Sequence, residues 1–140
     1  MLKTNVMRIL DKAKIGYTPF EYSPELTEGV KIAETLGEDC ESVFKTLFTE
    51  SNTKEHFVFV IPVDKTLDLK AAARSVGAKA VAMLQQQELV PLTGYIHGGC
   101  SPVGMKKKFK TVIDKSAEEL PLFYVSAGRD GYQVRLDPRE

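Results

Sequence analysis

The sequence contains little cysteine and histidine, and its charges cancel. Cys40 and Cys100 stand far apart and are accompanied only by His56 and His97. Without a C-x-x-C pair, these residues are too few for a zinc cluster or a disulfide framework, so we expect a reduced protein without a metal site. The 19 basic and 19 acidic residues leave no net charge. The whole molecule therefore has no general attraction for polyanions, and any polyanion must be held by a local patch.

Long apolar runs are also absent. No run approaches the roughly 18 residues of a membrane span, and the N-terminus lacks the apolar core of a signal peptide. We therefore expect a soluble, cytoplasmic protein that is not exported. A chain of 140 residues with 43% hydrophobic content fits one globular domain over residues 1–140. Such a domain buries roughly two thirds of its unfolded surface.

One lysine stands where the pattern favours a buried apolar residue. Residues 43–48 are apolar on both faces of a predicted strand, which puts Lys45 beside Val43 and Leu47 and puts Thr46 on the other face. Burial of an unpaired ammonium costs several kcal/mol. An anionic or carbonyl-bearing ligand would offset that cost. The alternative is an edge-strand lysine whose amine extends to water.

Periodicity and turn residues predict a mixture of helices and strands. Helices are predicted at 5–14, from a cap at Thr27 to Gly37, from a cap at Asp68 to Gly77, and at 85–89. A capping box at 116–119 predicts one further helical turn. Strands are predicted around 17–22, 43–48, 56–63, 111–114, 122–127 and 132–136, with a short apolar run at 80–84.

The order of these elements predicts the fold class. The strands at 43–48 and 56–63 form a predicted hairpin at the centre of a sheet, and the turn at 128–131 predicts a second hairpin. The regular βαβ rhythm of a doubly wound sheet is missing. We therefore expect an α+β domain with a mixed, mostly antiparallel, barrel-like sheet surrounded by short helices.

Glycine-rich turns offer backbone donors for a ligand. The segment 94–104 contains four glycines and a proline, and its Gly98–Gly99 pair allows backbone N–H groups to face an oxyanion or a phosphate. The turn at 126–128 follows a strand and could form another wall. The alternative for both loops is a tight turn without a binding role.

Two further features suggest contact with a nucleic acid. Lys106, Lys107 and Lys108 follow the glycine-rich segment and could contact phosphates, although a solvated surface run is the alternative. Tyr22 follows a short broken strand and could stack on a base or a ribose. It could equally be a tyrosine at the edge of the core with a solvated hydroxyl.

Taken together, the motifs resemble the YbaK family of aminoacyl-tRNA deacylases. The similarity covers nearly the whole chain and rests on residues 43–47, 67–70, 93–107 and 124–128, in this order and spacing. The family is related to the editing domain of bacterial prolyl-tRNA synthetases. Its members act in trans and remove cysteine wrongly attached to proline tRNA.

The resemblance implies a role for individual residues. Lys45 would be the essential lysine, and tRNA would lie along Lys106, Lys107 and Lys108. The substrate pocket would include Tyr22, Thr46, Gly98, Gly99, Ser101, Pro102, Ser126 and Gly128. Gln133 stands where some relatives carry an acidic pocket residue, which could change the preferred aminoacyl group. The family uses no cofactor, and the thiol of the substrate cysteine is thought to attack its own ester.

Two alternatives remain open at this point. The chain could instead remove alanine from proline tRNA, or it could be a non-catalytic module that binds tRNA or a synthetase. Prolyl-tRNA synthetase is the expected protein partner, because a neutral chain of this size offers little surface for recognising an anticodon.

Overall fold

The computed structural model describes residues 3–26, 28–84, 88, 94–95, 101–103, 109–129 and 131–138. The helices in these ranges are α1 (Asn5–Lys12), α2 (Gly29–Leu36) and α3 (Leu69–Val76), with a 3₁₀ turn at Lys115–Glu119. The strands are β1 (Tyr17–Glu21), β2 (Phe44–Ser51), β3 (His56–Pro62), β4 (Val81–Met83), β5 (Lys110–Ile113), β6 (Phe123–Ser126) and β7 (Tyr132–Leu136). In this part of the chain, we find no helix of the length and apolar character that crossing a membrane requires.

The strands form two sheets that meet at one bridge. An antiparallel sheet has the order β1-β7-β6, and a mixed sheet has the order β4-β2-β3-β5, in which β3 and β5 run parallel. Val43, just before β2, forms a parallel bridge with Tyr124 of β6. The bridge joins the two sheets into one curved surface, so the expected α+β fold with a mostly antiparallel, barrel-like sheet is confirmed.

The predicted central hairpin is confirmed and settles the position of Lys45. β2 pairs with β3 along its whole length, with Lys45 opposite Ile61. On its other side β2 pairs with β4 near its end and adjoins β6 near its start. β2 is therefore an interior strand, and the alternative of an edge-strand lysine is wrong.

The main core fills the inner side of the curved sheet. Phe44 and Phe48 of β2 point into it together with Val125 of β6 and Val134 of β7, and α1 closes it with Leu10. All five side chains are at most 5% exposed. Burying each of them stabilises the fold by roughly 1.5–3 kcal/mol relative to exposure.

Two helices cover separate parts of the outer side. α2 packs Ala33 against Val43 and Tyr124, whereas α3 packs Ala72 against Phe59. Because Val43 and Lys45 share a face and Phe59 is opposite Leu47, Lys45 lies between the two helix-covered areas.

The observed helix ends agree only in part with the ends predicted from the sequence. Asp68 caps α3 by accepting hydrogen bonds from the N–H groups of Lys70 and Ala71, and Gly77 ends it in the left-handed conformation, as predicted. α1 ends at Lys12, two residues earlier than expected. Glu28 is the N-cap of α2 and makes no side-chain cap hydrogen bond, while Thr27 lies outside the described residues.

The N-cap of the last short helix lies two residues earlier than the sequence suggests. Asp114, not Ser116, is its N-cap, and the Asp114 carboxylate accepts the Ser116 N–H. The capping box at 116–119 is therefore wrong, because the chain forms a 3₁₀ turn that already starts at Lys115. The helix expected at 85–89 lies outside the described residues apart from Glu88.

Candidate active site

The Val43–Tyr124 bridge brings Lys45 and Ser126 onto one face. The two strands run parallel at the bridge, and each of these residues stands two positions after it. Since side chains alternate with period two, Lys45 and Ser126 lie on the same outer face as Val43 and Tyr124. The bridge therefore builds a site from residues about 80 positions apart.

Among the described cations of this face, Lys45 remains available for a ligand. Its side chain is half-buried between Val43 and Leu47, and among the described residues it has no ion-pair or hydrogen-bond partner. Arg135 lies on the same face but is engaged with other groups: it donates to the Tyr124 hydroxyl at 3.5 Å and to Thr18 Oγ1 at 3.4 Å. An ammonium without a counterion beside apolar side chains attracts an anion or a polarised carbonyl.

Ser126 is held in place by its own turn. Its hydroxyl oxygen accepts the Gly128 N–H at 3.2 Å, and the residue is 8% exposed. This arrangement leaves the hydroxyl hydrogen able to donate to a further acceptor. Ser126 can therefore present a fixed donor on the face of Lys45.

Gly128 supports this turn from the inner side. Its φ is +85°, and a Cβ at this position would lie 2.8 Å from Val6 Cγ2 and 2.9 Å from Tyr95 Cε1. Only glycine fits this backbone and this space. Gly128 therefore contributes at least by positioning Ser126.

Gln133 and Tyr22 extend the same face. Gln133 is opposite Ser126 in the sheet, is 5% exposed, and donates through Nε2 to the Tyr22 hydroxyl at 3.4 Å. Its Oε1 is buried without a hydrogen-bond partner among the described residues. A buried acceptor without a donor is costly, and a bound ligand with an N–H or O–H group would relieve that cost.

Tyr22 is fixed through its backbone. Its N–H donates to the Gly131 carbonyl at 2.8 Å, and Gly131 has a φ of +88° with the Tyr22 carbonyl 2.8 Å from where a Cβ would lie. The β6–β7 turn thus holds Tyr22 in place. The structure brings Tyr22, Lys45 and Ser126 to one face, as the resemblance implies.

A hydrogen-bonded chain next to the site was not predicted from the sequence. The Tyr124 hydroxyl donates to Glu38 Oε1 at 2.8 Å and accepts from Arg135, whose guanidinium lies 5.4 Å from the Phe20 ring centroid. Burial raises the pKa of Tyr124 above its ordinary value, and the hydrogen bond to Glu38 adds to this rise. The phenol therefore stays protonated and keeps donating. In the sequence, the apolar run around Tyr124 was the only feature that pointed to this hydrogen-bonded chain.

The structure does not bring the other residues implied by the resemblance together on this face. Thr46 points to the opposite, inner face, where its hydroxyl is buried without a partner among the described residues. Ser101 is fully buried and accepts the Val103 N–H at 3.2 Å. Pro102 is half-buried. Gly98, Gly99, Lys106, Lys107 and Lys108 lie outside the described residues.

The described ends of the glycine-rich segment are tied to the core. Tyr95 is buried in the inner cluster, and its hydroxyl donates to the Val103 carbonyl. Because Tyr95 also contacts the position of Gly128, the two glycine-containing turns are anchored at the same place on the inner side. This anchoring fixes the start of the 94–104 segment relative to the Ser126 turn.

Comparison with known proteins points to one family. The model of the aminoacyl-tRNA editing domain matches residues 24–140. A protein of Enterococcus faecalis, EbsC, named as a candidate Cys-tRNA(Pro)/Cys-tRNA(Cys) deacylase, is 42% identical over 138 residues, which cover 97% of this chain and 84% of that protein. The proline–tRNA ligase of Ligilactobacillus salivarius is 27% identical over 110 residues, covering 79% of this chain and 19% of the ligase.

A solved structure has the same fold over nearly the whole chain. The crystal structure of a hypothetical protein, APE2540, superposes with a TM-score of 0.88 at 25% sequence identity and covers 96% of this chain and 89% of that one.

Proposed function

Because this chain belongs to the aminoacyl-tRNA editing domain family, we propose that it acts in trans on tRNA(Pro) mischarged with cysteine and releases the amino acid. The observation that carries this proposal is the unpaired, half-buried Lys45 on one face with Ser126, Gln133 and Tyr22. The 42% identity to EbsC, whose name gives Cys-tRNA(Pro) as a substrate, supports the choice of aminoacyl group.

Lys45 would act by electrostatic positioning. Its ammonium would attract the 3′-terminal ester carbonyl or the adjacent phosphate, while the backbone donors of the Gly98–Pro102 loop would hold the carbonyl oxygen. Ser126 would donate its remaining hydrogen to a polar group of the substrate. Tyr22 would support Gln133 through the hydrogen bond between them.

The nucleophile in this proposal belongs to the substrate, as the family resemblance implies. The cysteine thiol would attack its own ester carbonyl carbon, so that a carbon–sulfur bond forms and the bond from that carbon to the ribose oxygen breaks. The thiol proton passes to the ribose oxygen, and the amino acid leaves as a thiolactone. An ester needs less activation than an amide, so positioning and charge would suffice.

A panel of aminoacylated tRNAs tests the proposed substrate. Rates of deacylation would be measured with cysteine, serine, alanine and proline on tRNA(Pro). We expect rapid release of cysteine and at least tenfold slower release of serine, because serine lacks the thiol. Equal rates for cysteine and serine would exclude thiol assistance, and preferential release of alanine would assign the chain to alanine removal instead.

The tRNA contacts form a second part of the proposal. Lys106, Lys107 and Lys108 would contact phosphates near the 3′ end, and their contribution would weaken as salt rises. We also propose that prolyl-tRNA synthetase supplies recognition of proline tRNA in the cytoplasm, since the chain has no net charge to attract RNA generally. Light scattering of the chain, tRNA(Pro) and the synthetase would detect the ternary complex, and its absence would count against this partner.

A further inference from the structure

A second concave surface lies on the other side of β2 from Ser126. It is a groove of about 750 Å³ on the outer face of β3 and β5, between α3 and the 115–119 turn. Its apolar lining consists of Phe59, Ile61, Pro62, Leu67, Ala71, Ala72, Val112 and Leu120. The groove lies on the same outer face as Lys45, because Ile61 in its floor is the cross-strand partner of Lys45, but Lys45, Ser126 and Gln133 do not line it.

The rim of the groove is acidic. Its charged lining residues are four carboxylates and one ammonium, namely Glu41, Asp68, Asp114, Glu119 and Lys65. All of them are exposed, and none forms an ion pair within the described part of the chain. Asp68 and Asp114 accept only backbone N–H groups as caps. In a chain without net charge, this is a local excess of negative charge around an apolar floor.

We infer that this groove binds a basic, amphipathic segment of a partner protein. Apolar side chains of such a segment would cover Phe59, Ile61 and Val112, while its lysines or arginines would pair with the rim carboxylates. A nucleic acid does not fit, because carboxylates repel phosphates. The inference goes beyond the proposed deacylation and requires none of the residues assigned to it.

The direct test uses two designed peptides and the full chain. One is a 14-residue peptide with leucine at helical spacing and lysine elsewhere, and the other has glutamate in place of every lysine. Binding is measured by fluorescence anisotropy and mapped by amide chemical shifts. We expect the lysine peptide to bind with shifts at Phe59, Ile61 and Val112, and the glutamate peptide to bind at least tenfold more weakly.

Charge-reversal variants separate the groove from a general charge effect. Glu41→Lys/Glu119→Lys changes two exposed rim residues that make no hydrogen bonds in the described structure, whereas Glu34→Lys/Glu55→Lys makes the same charge change away from the groove. We expect at least tenfold weaker binding of the lysine peptide for the groove variant and unchanged affinity for the control. Equal affinities in the two variants, or no binding to the wild type, would overturn the inference.

Two further outcomes would also overturn it. If an acceptor-stem RNA produced equally large amide chemical-shift changes at the floor residues, the groove would be assigned to nucleic acid. Self-association of the chain that the lysine peptide fails to displace would assign it to a second copy.

Ala71→Gln fills the groove from α3 without adding charge and should also weaken peptide binding. All these variants should deacylate at the wild-type rate. A failure of the groove inference can therefore be distinguished from a failure of the proposed function.

Discussion

At the scale of single residues, the site depends on polar groups left without partners on a mostly apolar face. Lys45 has no counterion among the described residues, and Gln133 Oε1 has no donor. Both would be costly in a purely structural strand. We therefore attribute both to ligand binding, whereas Arg135 donates through Nη1 to the Tyr124 hydroxyl and only its Nε is buried without a partner among the described residues.

Replacement of Gln133 tests this reading of its amide. Gln133→Leu removes the unpaired acceptor together with the donor to Tyr22. We expect kcat/KM for deacylation to fall at least tenfold while the midpoint of urea unfolding changes little, because the lost hydrogen bond is worth only about 1 kcal/mol and the unpaired acceptor disappears. Tyr22→Phe is the control for the hydrogen bond alone. A large loss of stability with normal activity in Gln133→Leu would make Gln133 a structural residue.

Glu50 gives a prediction for pH. The pKa of its carboxyl is lowered first by the hydrogen bond with Lys54 and then by the one with His56. Because the folded pKa lies below the unfolded one, the stabilisation is present above the unfolded pKa and is lost as the pH falls through the folded pKa. We expect wild type to melt above Glu50→Gln at pH 7 and the difference to shrink as the pH falls below the ordinary glutamate pKa of about 4.3. A constant difference in melting temperature from pH 7 to pH 3 would contradict this assignment.

At the scale of elements, local sequence rules explain most of the secondary structure. The period of two in residues 43–48 placed Lys45 and Thr46 on opposite faces, and the structure agrees because Thr46 points to the inner core. Asp68 and Gly77 correctly mark the ends of α3. The cap at Asp114 was missed, because Ser116 is an equally good capping residue and only the position of β5 decides between them.

The cap of α3 predicts a defined loss of stability. Asp68→Ala removes the acceptor for the N–H groups of Lys70 and Ala71, so we expect the free energy of unfolding to fall by about 1 kcal/mol. Asp64→Ala is the matched control, since Asp64 is exposed and makes no hydrogen bond in the described structure. Urea titrations measure both variants, and equal effects would show that the cap contributes nothing.

The turn at Gly128 predicts a larger loss. Gly128→Ala combines a φ of +85° with contacts below 3.0 Å to Val6 and Tyr95, whereas Gly77→Ala has a φ of +72° and open space. We expect the control to lose roughly 1–2 kcal/mol from its backbone alone and Gly128→Ala to lose more. Since Gly128 holds Ser126, deacylation should also fall only in Gly128→Ala. Similar unfolding free energies for the two variants would show that the inner side of the turn can adjust.

At the scale of the whole molecule, the sequence did not show which contacts hold the candidate site together. The family resemblance brought Tyr22, Lys45 and Ser126 together, and the structure places them on one face. The hydrogen bond between Glu38 and Tyr124 joins residues 86 positions apart, and the bridge from Val43 to Tyr124 joins the two sheets. Such long-range pairings follow from how the sheets close on each other, which no local pattern encodes.

At this scale, the molecule also has two proposed binding areas, namely the face of Lys45 and the groove on β3 and β5. One face carries an available ammonium next to buried polar groups, and the groove beyond β3 carries carboxylates around an apolar floor. Because Lys45 and the groove floor lie on paired strands of one hairpin, a partner bound in the groove would lie next to an RNA end bound at Lys45.

The most direct test of the account is single-turnover deacylation of Cys-tRNA(Pro) by wild type and Lys45→Ala. We expect the rate to fall at least a hundredfold, equivalent to about 2.7 kcal/mol of transition-state stabilisation, with an unchanged melting temperature because the ammonium has no structural partner in the described chain. A Lys45→Ala variant that releases cysteine at the wild-type rate would contradict the account.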